Sequence, residues 1–176
     1  YSLPLFNGIF ALLFLALSAG MIVSIFQVKN RLTAGLIGGL MTVFPAVVSM
    51  YFFMFLSLYY AIGIFFSVLA AWLTVKYPKN IIADIAAVLM AACSLGVYQA
   101  YFPDTVCILL MVVILKAGFG GVKEKTQWKE FFLMVVRFLV VMAAGIVVYF
   151  LINKAVLAVT HIQLTSYQGG DTMGKI

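Results

Sequence analysis

Charge is what this chain has least of. Asp, Glu, Lys and Arg together make up 9% of its 176 residues, and only five of them are acids. A soluble domain carries about 25% charged residues, because much of its surface must face water. At 66% hydrophobic, this chain cannot hide its apolar surface in water, and a water-soluble fold is excluded. Histidine occurs once, at His161, with no second ligand at metal spacing, so it reads as a loop histidine. Cysteine occurs twice. Cys93 ("MAACSLG") and Cys107 ("TVCILLM") sit in apolar surroundings without a CxxC spacing. They read as small core residues, with neither a disulfide nor a metal site. No metal or cofactor is expected.

What remains is a set of long apolar runs. A membrane-crossing helix needs about 20 apolar residues. The runs predict an all-α, polytopic transmembrane protein of about six spans, near residues 5–26, 32–50, 56–75, 81–101, 106–119 and 131–152. No charged residue occurs between positions 32 and 75, which suits two spans with an uncharged turn near 51–57. Pro45 falls inside an apolar stretch, where it removes a hydrogen bond and clashes with the preceding turn, so a kink or helix end is expected there. "FPDT" (102–105) is expected to turn the chain, with Asp104 free to start the next helix. Residues 153–176 are expected to form an exterior segment ending in the polar "SYQGGDTMGKI". The chain opens at Tyr1 with neither a methionine nor a charged leader, as a piece of a longer protein would.

Basic residues set the sidedness. Lys29 and Arg31, Lys76 and Lys79, then Lys116, Lys123, Lys125, Lys129 and Arg137 gather on one face of the six-span arrangement. Nine of the eleven basic residues share that face, which the positive-inside rule makes cytoplasmic. Both ends of the chain then face the exterior. The net charge of +6 reports this topology, not a nucleic-acid partner. Tyr1, Tyr51, Tyr59, Tyr60, Tyr98, Tyr101, Tyr149 and Tyr167 fall toward the exterior ends, with only Tyr77 inside. An interfacial aromatic belt explains such a pattern; a cavity for a hydroxyl-rich ligand is the sharper explanation.

Smaller motifs divide between packing and chemistry. Gly35 and Gly39 form a small-xxx-small face suited to close helix approach. "GFGG" (118–121) lacks the Lys-Ser/Thr of a phosphate loop and reads as a helix stop. "VKEKTQWKEF" (122–131) reads as a cytoplasmic loop or interfacial helix. Lys116 and Arg137 can snorkel to the inner interface, a lipid-phosphate clamp being the alternative for Arg137. Asp84 is expected to neutralise Lys79 or cap its helix. The exterior polar set includes Tyr98, Gln99, Asp104, Gln163, Tyr167, Gln168, Asp171 and Thr172. Gln99 stands out, because an amide near the hydrocarbon edge needs partners.

Three stretches taken together resemble the Gtr type II family of bacterial membrane glucosyltransferases. They are "FPAVVSMYFFMFLSLYYAIGIFFSVLAAWL" (44–73), "SLGVYQAYFPD" (94–104) and "YFLINKAVLAVTHIQLTSYQGGDTMGKI" (149–176). The resemblance covers nearly the whole chain but only a middle portion of the family's length. It implies a GT-C-like architecture in the bacterial inner membrane, with its active site at the outer membrane–water boundary. It implies a polyprenyl-phosphate glucose donor and an acceptor that is O-antigen, another surface polysaccharide or a lipid-linked glycan. Tyr98, Gln99, Tyr167 and Gln168 match the family's recurring polar positions and are its candidate substrate-binding residues here. GT-C enzymes typically take their catalytic acid from a large exterior loop upstream of the matched part. This chain has no acidic pair in its place, so no catalytic residue is assigned. A lipid or polysaccharide flippase or transporter subunit is the alternative, although the span centres are nearly free of the ionisable groups that ion coupling uses. A structural or assembly subunit is a third.

Overall fold

The computed structural model describes residues 4–53, 55–119 and 125–160. Within them the chain is helical: α1 (Pro4–Ile25), α2 (Arg31–Val43), α3 (Pro45–Met50), α4 (Ser57–Lys76), α5 (Ile81–Val97), α6 (Phe102–Phe119) and α7 (Lys125–Thr160). Short 3-10 turns at Tyr51–Phe53 and Gln99–Tyr101 lie between α3 and α4 and between α5 and α6. α1, α4, the stretch Gln99–Gly118 and α7 are each long and apolar enough to cross a membrane. The bent pair α2–α3 makes a fifth such unit. α5, at 17 residues and about 25 Å, is a shorter apolar helix beside these four to five. α7, at 36 residues, is about 54 Å long and outruns a hydrocarbon core of about 30 Å.

α4 is the central element, packed on α1, α5 and α6; α7 lies against α5, and α2 against α1. The contact surfaces are made of small residues. Ala11, Ser18 and Ala19 of α1, Ala61, Ser67, Ala70 and Ala71 of α4, and Ala83, Ala87, Ala91 and Ser94 of α5 are all buried. Between lipid-immersed helices there is little hydrophobic drive, so close van der Waals approach and hydroxyl bonds take its place. Large apolar side chains such as Leu12, Leu17, Ile85, Leu110, Leu139 and Val147 point outward instead. Buried serine and threonine hydroxyls find backbone acceptors: Ser94 Oγ donates to Gly63 O at 3.1 Å, and Thr74 Oγ to Ala70 O at 2.8 Å.

The two ends of the bundle differ chemically. One end carries the 26–30 and 77–80 connections, where Asn30 and Asn80 cap α2 and α5 by accepting from Leu32 N (2.9 Å) and Ile82 N (3.0 Å). This is the basic end. The other, with Tyr51, Tyr60, Tyr98, Tyr101 and Tyr149, is the tyrosine end.

At Pro45 the chain behaves as expected. Phe44 sits at φ −60°, ψ 132°, outside the helical region that a residue before proline avoids, and α2 and α3 meet at 46°.

Several expectations are corrected. "FPDT" does not turn the chain: the turn is Tyr98–Tyr101, and Phe102, Pro103 and Asp104 already belong to the first turn of α6. Proline is well accommodated there, since a first-turn N–H has no intrahelical partner. The helix that carries the expected sixth span is longer than 131–152: α7 begins at Lys125, within the stretch expected as a loop or interfacial helix, and runs on to Thr160. Cys93 and Cys107 are exposed, not core. The Gly35/Gly39 face is open, with nothing within 4 Å of where either Cβ would lie. Close approach occurs instead at Gly63 and Gly145. A Cβ at Gly145 would meet Ala91 Cβ at 2.9 Å.

Asp84 and Arg137 are also reassigned. Arg137 Nε donates to both Asp84 carboxylate oxygens (3.0 and 3.1 Å), and its other nitrogens reach Asp84, Thr74 O and Tyr77 O (2.9 Å each to the carbonyls). The pair joins α7 to α5 and caps the last turn of α4. Arg137 is thus bonded to protein groups at the basic end. Lys116 Nζ lies 3.3 Å from Met134 Sδ.

Candidate functional site

The tyrosine end is shaped by two chain breaks. The first, at Phe44, swings α3 away from the line of α2. The second separates α5 from α6. Tyr98 leaves the helix in an extended conformation (φ −160°, ψ 120°), and Tyr101 N returns to Tyr98 O at 3.1 Å. This second break is held from inside the bundle. Ser67 Oγ on α4 donates to Tyr101 O (2.8 Å), Thr105 Oγ on α6 donates to Ser67 O (2.9 Å), and the two hydroxyl oxygens lie 2.8 Å apart. Both side chains are fully buried, so these bonds have no competition from water.

With the break held, three rings converge. Tyr98 and Tyr101 stand 5.4 Å apart at 64°, and Tyr60 of α4 meets them at 5.9 Å and 6.3 Å. Tilted and edge-to-face arrangements such as these suit the ring quadrupole. Tyr101 reaches its place because residue 63 is glycine: a Cβ there would lie 2.8 Å from Tyr101 Cδ2 and 3.0 Å from Val97 Cγ1.

The three rings wall a cavity of about 660 Å³ between α2–α3 and α4–α6. Met41, Phe44 and Val47 form the facing apolar side, and Asp104 lies on the tyrosine side. Among the described residues Asp104 is the one acid at this end, and it takes part in no ion pair. The cavity thus joins an apolar wall to one that carries tyrosines and a carboxylate. Among the described residues no three His, Cys, Asp or Glu side chains come together.

The candidate residues divide. Tyr98 lines the cavity and is 52% exposed. Gln99 turns the other way and donates from Nε2 to Tyr149 OH at 3.1 Å, tying the α5–α6 turn to α7. Tyr167 and Gln168 lie outside the described residues, as do His161, Gln163, Asp171 and Thr172.

A second hollow, of about 590 Å³, opens at the basic end beside Lys79, Lys116, Glu130 and Met134. Its charges are mixed, and its arginine is already bonded to Asp84.

The residues that hold the site were not visible as site residues in the sequence. Ser67, Thr105 and Gly63 are ordinary small residues of an apolar run. The only signal was that Ser67 and Thr105 are polar within otherwise apolar stretches.

No curated protein and no solved structure matches the chain. The family model for glucosyl transferase GtrII matches residues 1–176, its whole length. The chain therefore belongs to the glucosyl transferase GtrII family.

Proposed function

We propose that this chain forms the donor-binding part of a membrane glucosyltransferase that takes glucose from a polyprenyl-phosphate carrier. The acceptor is O-antigen or another surface polysaccharide, or its lipid-linked precursor, on the exterior face of the bacterial inner membrane. The tyrosine end is the exterior one and both chain ends emerge there, a reading supported by the gathering of basic residues at the opposite end. The architecture is GT-C-like, with the reaction at the membrane–water boundary.

One observation carries the proposal: the cavity of about 660 Å³ joins an apolar wall to a tyrosine-lined, carboxylate-bearing wall at one end of the bundle. A polyprenyl chain would lie along Met41, Phe44 and Val47, leaving its glucosyl head among Tyr60, Tyr98 and Tyr101. Gln99 would act on the substrate side through its hold on the α5–α6 turn. Tyr167 and Gln168 are proposed to complete the site from the exterior segment.

Full-length protein reconstituted in bilayers with radiolabelled polyprenyl-phosphate glucose and a lipid-linked glycan should transfer label to the glycan. Ala46→Trp, which fills the cavity from α3, should cut that transfer about tenfold or more while the protein remains folded. Transfer from a nucleotide sugar with no lipid carrier present would refute the donor assignment. Undiminished transfer by Ala46→Trp would refute the cavity assignment.

A further inference from the structure

Among the described carboxylates, Glu130 is exposed at the basic end, while Asp84 and Asp104 are partly buried and are treated differently. Asp84 is neutralised by Arg137, with side chains 27% and 20% exposed. Asp104, in the first turn of α6, is only partly exposed and faces the tyrosine cavity. Among the described residues its carboxylate makes neither an ion pair nor a hydrogen bond. An ionised carboxylate is acceptor-only, with room for about four donors, and a low-polarity wall makes unfilled capacity costly. The N-terminal end of α6 favours a negative charge in its first turn. That explains why the residue is tolerated; it does not supply the donors that the cavity face of the carboxylate lacks.

The surroundings indicate which donors would fit. Three tyrosine rings line the same cavity as the carboxylate, and among the described residues no cation lines it. A phosphate or other anion would be repelled by Asp104. A cationic head would also meet a carboxylate, but the family's reaction moves glucose, which is neutral and rich in O–H donors. A pyranose offers a C–H face to aromatic rings and hydroxyls to a carboxylate, and O–H···O⁻ bonds are about twice as strong as neutral ones.

We propose that Asp104 is a substrate-binding residue that accepts hydrogen bonds from hydroxyls of the transferred glucosyl unit, with the rings of Tyr98 and Tyr101 flanking the sugar. The proposal rests on the glucosyltransferase function proposed above. It separates the site into two regions, a sugar subsite around Asp104 and a chain-binding wall on α2–α3. The carrier phosphate is then held away from Asp104.

The test compares full-length wild-type, Asp104→Asn and Asp104→Glu in the reconstituted transfer assay, with thermal melting of each. Asn keeps the residue's shape while removing its charge. If Asp104 acts only on the helix, Asp104→Asn should transfer glucose like wild-type. If it binds sugar hydroxyls, Asp104→Asn should melt like wild-type while kcat/KM falls tenfold or more, and Asp104→Glu should recover part of the loss. If Asp104→Asn fails to fold, Asp104→Glu decides alone: a donor KM raised severalfold supports the proposal, and an unchanged KM overturns it. Wild-type transfer together with wild-type-like Asp104→Asn overturns this inference and leaves the glucosyltransferase function standing. Absence of transfer by wild-type protein would remove that function itself.

Discussion

Gly63 has the ring of Tyr101 pressed against its backbone, and Gly145 has Ala91 in the same relation. Neither position looks special in the sequence, because a close approach belongs to two helices and is written in neither. Gly63→Ala should therefore destabilise the protein by about 1–3 kcal/mol, as overpacking does, and should also dull transfer by moving Tyr101. Gly35→Ala, with open space around it, should be neutral or slightly stabilising because alanine favours helix. Melting temperatures of the two variants in the same detergent make the comparison, and equal values would refute the close approach. Asp84→Ala should cost about 2 kcal/mol, since it leaves the partly buried Arg137 with two carbonyls and no counter-charge. Unchanged melting would mean that the pair holds nothing together. The sequence placed both charges near the same end of their spans, but 53 residues separate them. Their pairing depends on which helices are neighbours, and run lengths do not encode that.

Single elements were more legible. The break at Pro45 follows from the missing N–H and from the restriction on Phe44, both local effects, and the 46° bend appears where they act. The second break was misplaced by a few residues. Proline signals a helix's first turn as readily as its end, and Pro103 does the former. What decides between them is the tertiary hold of Ser67 and Thr105 on Tyr101, which no local pattern reveals. Ser67→Ala should loosen this hold without opening a large cavity, leaving Thr105 Oγ with a backbone partner. Its melting temperature should fall by a few degrees, and transfer should fall with it if the α5–α6 turn positions substrate. A Ser67→Ala protein with full transfer would separate the turn from the site.

At the level of the whole molecule, composition alone established a helical membrane protein, because no other solvent accepts a chain 66% hydrophobic and 9% charged. Sidedness rests on the basic residues and is open to direct measurement. In a background with Cys93 and Cys107 replaced by alanine, a cysteine at exposed Phe52 should react with a membrane-impermeant maleimide added outside, and one at Lys79 should not. The reverse pattern would invert the topology. The site was half legible. Tyr98 was identified as a candidate and lines the cavity, whereas its neighbour Gln99 binds Tyr149 on the other side of the turn. A sequence gives the identity of such residues, but their direction depends on where the helix stops. The claim on which the rest depends is that the tyrosine-end cavity receives the lipid-linked sugar. The most direct test is photo-crosslinking of the full-length protein with a polyprenyl-phosphate glucose carrying a photoreactive group on its chain, followed by peptide mapping. Adducts on residues 41–50 and 98–108 that disappear in the presence of unlabelled donor are the expected result. Competable adducts around Lys116 and Met134 at the basic end, with none on the tyrosine-end cavity, would contradict it.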